Sequence, residues 1–176
     1  MDDKELFNPV LDQNEEILKI YRPNKLRAYF NLIIFVVFIA IIFVPIMILS
    51  YIQEPESAPT MWVCVGLFAF ILVIYLIMMI LWCKKTVYAV TTKRIIIRTG
   101  YIGVDYKALD FNTIGAVTVN VNWLDKLLHK NTGYISFGSM ASPMINTANY
   151  KFSFFYIEKP YEVYKEVKAI IDSVNK

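Results

Sequence analysis

The sequence predicts a membrane α-helical hairpin followed by a small α+β domain. Three observations predict it: two uncharged apolar runs of membrane-crossing length, segments of β-branched and alternating residues after them, and an amphipathic stripe at the C-terminus. The composition agrees. The 176 residues are 57% hydrophobic and only 19% charged, against about 25% charged for an ordinary soluble domain. The apolar excess is concentrated in the two runs. The rest of the chain is long enough for one modest domain.

Taken in order, residues 1–27 form an N-terminal arm. Within it Leu18 and Ile20 alternate with Lys19 and Tyr21, a period of two that fits a strand. Such a strand would add to the later sheet and make the hairpin an insertion within the fold. The other reading of 15–22 is a juxtamembrane linker.

Residues 28–83 form the hairpin, with spans at about 30–51 and 61–83. Every residue from 32 to 49 is apolar, Pro45 included, and no charge falls between 61 and 83. About 20 apolar residues cross the hydrocarbon core. A core helix of a soluble protein would keep a polar face, and neither run has one. Pro45 predicts a kink late in the first span. Trp62 and Trp82 mark the ends of the second, where interfacial aromatics collect. A cleaved signal peptide is rejected: the run is too long and no small-x-small site follows Ser50. Cys64 and Cys83 act as small hydrophobes. On one helix they lie about 28 Å apart, too far to pair.

Orientation follows from the flanks. The connection 52–60 carries Glu54 and Glu56 and no basic residue, whereas Lys19, Arg22, Lys25 and Arg27 precede the first span and Lys84, Lys85, Lys93 and Arg94 follow the second. Lys and Arg stay on the cytoplasmic side. The expectation is a two-span cell-membrane protein with both termini in the cytoplasm.

Residues 84–176 form the cytoplasmic domain. Segments 86–91 and 94–99, joined by Thr92-Lys93, predict an antiparallel hairpin. Val117, Val119 and Val121 alternate with polar residues and predict a half-buried strand. Further strands are expected at 134–137 and 151–157, the latter apolar on both faces and so suited to a central or doubly covered position. Asp105 and Asp110 flank a strand or turn and read as solvated carboxylates. Pro160 opens a helix striped with Val163, Val167, Ile170 and Val174. The mixed charges of its polar face favour packing on the open end of a β-sheet or barrel over lying on a membrane.

Tyr88, Val90, Thr91 and Arg94, an aliphatic run and then Gly100, resemble the opening of the bacterial pleckstrin-homology domain family. Leu109, Ile114, the 117–121 strand, the 123–128 segment WLDKLL and Thr132-Gly133-Tyr134-Ile135 extend the resemblance. It implies a pleckstrin-homology-like β-sandwich or partly open barrel capped by a C-terminal helix, behind two N-terminal transmembrane helices. Loop 139–150 is longer than that pattern suggests.

No catalytic constellation is visible. His129 is the only histidine and has no carboxylate at a useful spacing. No nucleophile elbow, zinc motif or phosphate loop occurs, so no enzyme, cofactor or metal is expected. No charge lies within the spans to make an ion path. Residues 84–176 hold 13 Lys or Arg against 7 Asp or Glu. Lys84, Lys85, Lys93, Arg94 and Arg98 are the candidates for contact with an anionic inner leaflet. Their plainer roles are stop-transfer and solvated strand face. Nothing groups them into a groove for nucleic acid.

Two functions follow as expectations. Some proteins of the resembling layout protect bacteria against membrane-active peptides, including leaderless bacteriocins; the routes open to such a protein are occupying the membrane or a target, or recruiting an export or envelope partner. Eukaryotic relatives of the fold bind anionic lipid headgroups, although Thr92-Lys93 is too short for a basic headgroup loop. Gly66 and Ala69 also leave room for close helix packing in a homo-oligomer.

Overall fold

The computed structural model describes residues 3–53, 58–121, 125–126, 131–139 and 152–174. The Glu54 and Glu56 connection, most of the 123–128 segment, His129 and nearly all of loop 139–150 lie outside them.

The chain begins with a single 3-10 turn, Glu5–Phe7, and then strand β1, Ile17–Tyr21. Helix α1, Lys25–Gln53, runs through Pro45 without a break, and helix α2, Ala58–Lys85, returns beside it. Phe43 stacks on Phe68 and Phe35 meets Tyr75 between them. Strands β2 (Val87–Thr91), β3 (Arg94–Thr99) and β4 (Asp105–Asp110) follow. A 3-10 turn at Phe111–Thr113 leads into β5 (Ile114–Asn120), then β6 (Thr132–Ser139), β7 (Ser153–Glu158) and helix α3 (Pro160–Val174).

Two antiparallel sheets form, β1-β2-β3-β4 and β5-β6-β7. Among the described residues they are not closed into a barrel. Between them lies the main core: Tyr88, Val90, Ile95 and Ile97 from the first sheet, Ile135, Phe137, Phe154 and Ile157 from the second, and Val163, Val167 and Ile171 from α3. The α3 stripe thus closes one side of the sandwich, as the i, i+4 spacing of its valines dictates. Phe154 is the hub, stacked on Tyr88 at 4.6 Å and meeting Phe137 edge-on at 4.9 Å.

The N-terminal arm is part of this fold. Ile20 pairs with Ala89 and Tyr21 with Tyr88, so β1 is an edge strand of the first sheet. The helical hairpin is therefore inserted between two paired strands. A second cluster covers the outer face of that sheet, where fully buried Phe7 packs on Val87, Ala89 and Ile96. With both faces covered, β2 and β3 need an unbroken apolar run and not alternation.

Of the two positions expected for strand β7, central or doubly covered, it takes the second. It is an edge strand among the described residues, and its two-sided apolar pattern reflects cover from the foot of the hairpin, where the Trp82 ring meets Tyr156 edge-on at 5.9 Å. Strand β4 joins Asp105 and Asp110 as the two ends of one edge strand paired with β3.

Candidate functional site

Both helices leave from one end of the first sheet, because β1 ends where α1 begins and β2 begins where α2 ends. At this end lies a cavity of about 330 Å³. Trp82, Tyr88, Tyr101 and Phe155 line it with aromatic surface, and Thr86, Thr99, Asp105 and Lys107 add polar groups. A partly apolar cavity with a few convergent polar groups is the usual form of a binding site.

Its walls are fixed by hydrogen bonds. The Tyr88 hydroxyl accepts from the Phe155 amide at 3.0 Å and faces its carbonyl at 3.4 Å, bridging the two sheets. Burial pushes this phenol well above its ordinary pKa. The hydroxyl of Thr86, just before β2, lies 3.2 Å from that of Thr99 at the end of β3. The lip is the β3–β4 loop, 100–104. Gly100 has φ +155°, and a Cβ there would meet the Gly103 carbonyl oxygen at 2.3 Å, so this turn demands glycine.

The five basic candidates divide into two groups. Lys84, Lys85 and Arg98 gather at the helical end. Lys84 is exposed. Lys85 Nζ donates to the Ile102 carbonyl at 2.5 Å. Arg98 Nη1 donates to the Lys85 carbonyl at 2.7 Å, one of the carbonyls a helix C-terminus leaves open. Lys93 and Arg94 lie at the other end of β3, with Arg94 roughly 13 Å along the strand from Arg98. Arg94 donates to both Glu15 oxygens, at 3.0 and 2.8 Å, and to the Val10 carbonyl at 3.1 Å. Lys93 Nζ donates to the Gln13 carbonyl at 3.3 Å. These two residues hold the N-terminal arm. Desolvation alone would raise the Glu15 carboxyl, but bonds from Arg94, the Asp12 amide and Thr91 outweigh it and bring its pKa down to about 2.

A second polar joint binds the foot of α1. Asn24 caps the helix, its Oδ1 accepting from the Arg27 amide at 2.9 Å. Its own amide donates to the Tyr156 carbonyl at 2.7 Å, and its Nδ2 to Glu158 at 2.6 Å. Arg27 forms an ion pair with Asp125, and both side chains are 2% exposed. Arg27 Nη1 reaches Asn31, and Asn31 Nδ2 donates to the Tyr156 hydroxyl at 3.0 Å. Tyr156 has φ 55°, a strained conformation for a non-glycine residue. It is held by contacts from both helices. A smaller cavity of about 290 Å³ opens beside Arg27 and Thr132.

In the sequence Arg27 stands out only as a charge flanking the first span, and Asp125 only as part of the WLDKLL segment. Their separation of 98 positions left no local pattern to read. The one available signal was an arginine just outside an uncharged run, which needs a partner if it is buried.

The cavity thus offers both aromatic and polar surface. Among the described residues no three His, Cys, Asp or Glu side chains converge to hold a metal ion. The family model described as Bacterial PH domain matches residues 25–170, spanning both helices and most of the β module. No curated protein and no solved structure matches this chain.

Proposed function

This chain belongs to the bacterial PH domain family, and on that premise we propose a non-catalytic integral membrane protein that protects against membrane-active peptides. The hairpin crosses the bilayer twice, with both termini in the cytoplasm. One observation carries the reading: a pleckstrin-homology-like module is interrupted between two paired strands by helices that are apolar all round. Ile41 is 66% exposed and Phe70 is 63% exposed, on different helices. Soluble monomers do not leave apolar surfaces of this extent in water, whereas hydrocarbon solvates them without cost. The uncharged spans flanked by Lys25, Arg27, Lys84 and Lys85 support the orientation.

The insertion holds the module at the inner face of the bilayer. The cavity at the helical end then opens toward the leaflet, where a cationic amphipathic peptide arrives after crossing or disrupting the membrane. Its aromatic walls fit the apolar face of such a peptide, and Asp105 fits a basic side chain. Bacteriocin immunity and envelope-stress resistance both fall within this reading. The experiment is expression in a sensitive bacterial strain challenged with a panel of cationic bacteriocins. Survival should rise, and Tyr101→Ala with Asp105→Ala should abolish the gain while the protein still accumulates in membranes. Unchanged killing across the panel rejects the proposal.

A second reading, a scaffold that binds anionic lipid and recruits a membrane partner, is favoured by the exposed Lys84 beside Lys85. Each basic group near an anionic leaflet contributes about 1 kcal/mol. Binding of the full chain in nanodiscs to anionic lipid, lost at high salt, distinguishes it from peptide binding through aromatic walls.

A further inference from the structure

We propose that the β3–β4 loop is a second membrane contact, dipping Tyr101 and Ile102 into the interfacial zone of the bilayer beside the foot of α2. This rests on the reading of α1 and α2 as membrane spans.

Loops that face water carry Gly, Pro, Asn and Asp at their tips. Residues 101–104 read Tyr-Ile-Gly-Val. Ile102 is 86% exposed, Tyr101 47% and Val104 37%. None of the three belongs to the main buried cluster or to the hydrophobics packed against it. The loop is also built and not slack. Gly100, in a backbone conformation that side chains rarely adopt, folds the chain back against the Gly103 carbonyl.

The position of the loop is what selects a bilayer as its occupant. Lys85, the last residue of α2, donates through Nζ to the Ile102 carbonyl at 2.5 Å. The tip is thus one lysine side chain from the helix backbone at the level where the apolar run ends. Trp82, one turn earlier, and Tyr101 both line the cavity there, and aromatic rings of this kind favour the interface. On α1, Leu26 is 77% exposed in the first turn at the same end. The opposite end of the sheet is polar: exposed Lys93, Gln13 and Asp12 surround the β2–β3 turn. An apolar tip next to the spans and a polar turn away from them match a module lying with one end in the headgroup region.

The test uses the full chain in liposomes, in a Cys64→Ser, Cys83→Ala background. Single nitroxide labels are placed through Ile102→Cys, Lys93→Cys and Phe43→Cys, and collision with oxygen is compared with collision with a polar nickel chelate. Phe43, midway along α1, reports hydrocarbon, and Lys93 reports water. The proposal expects the label at 102 to favour oxygen several-fold more than the label at 93, at a depth shallower than 43. A label at 102 as aqueous as the one at 93, with 43 in hydrocarbon, overturns the loop contact and leaves the spans intact. Labels at 43 and 102 both aqueous overturn the spanning reading and this contact with it.

Discussion

Arg94 shows how far a residue's role depends on what the fold brings to it. In sequence it is one of a run of basic residues; in the structure its guanidinium grips a carboxylate 79 positions away. Glu15 has no exposed side-chain surface and accepts from Arg94, Thr91 and the Asp12 amide. The carboxyl is thereby held near 2, below the ordinary 4.5. A depressed carboxyl pKa stabilises the fold fully above the ordinary value, and that stabilisation is lost as pH falls from 4.5 through about 2. Glu15→Gln should therefore lower stability at neutral pH by up to about 3 kcal/mol and flatten the acid limb. Thermal unfolding of the detergent-solubilised protein between pH 7 and 3 checks both. A variant that loses stability equally at every pH would show that the bond network, and not the charge, carries the effect.

At the scale of elements, the decisive feature is the joint between α1 and the β module. A helix that only anchored the module would meet it through a linker. Here Asn24 caps α1 and bonds to β7 on either side of the joint, through the Tyr156 carbonyl and the Glu158 carboxylate. Arg27 is buried with Asp125. Burying one charge without the other is costly, about 3–5 kcal/mol, because the remaining ion loses both water and partner. Arg27→Leu should accordingly lower the thermal midpoint in detergent sharply. Adding Asp125→Leu to the same chain should recover most of the loss, since an apolar pair removes both desolvation penalties. Failure of the second substitution to rescue would assign the damage to the lost Asn31 bond.

For the whole molecule, the chain order and the spatial order disagree. Strand β1 lies before the hairpin and pairs with β2 behind it. A fragment of residues 84–176 therefore lacks an edge strand and the Phe7 cluster that covers Val87, Ala89 and Ile96. That fragment should aggregate when expressed, because an apolar sheet face and a strand edge are both left open. The ends of the insertion are adjacent, with Tyr21 opposite Tyr88, so a short turn can replace the helices. A chain with residues 23–86 exchanged for a glycine- and asparagine-rich turn should be more soluble than that fragment, because β1 and the Phe7 cluster are kept, although the cover that Arg27 and Trp82 give to Asp125 and β7 is lost. Equal solubility of the two chains, seen by size exclusion and circular dichroism, would show that β1 adds nothing to the fold.

The sequence by itself determined whatever depends on local composition. The two helices follow from uncharged runs, β2 and β3 from β-branched residues around Thr92-Lys93, and α3 from its valine stripe. The family resemblance was legible for the same reason: Tyr88, Thr91, Arg94 and Gly100 stand at fixed spacing in one hairpin and its exit turn. Only the tertiary structure decided which distant groups meet. It joined β1 to β2, put Phe7 on the outer face of the sheet, gave Arg27 its partner, and separated Arg94 from Lys85 by the length of a strand. Periodicity reports which face of an element is apolar but not what covers it. Contacts across the 67 positions from Tyr21 to Tyr88, or more, come from chain topology, which no local window contains.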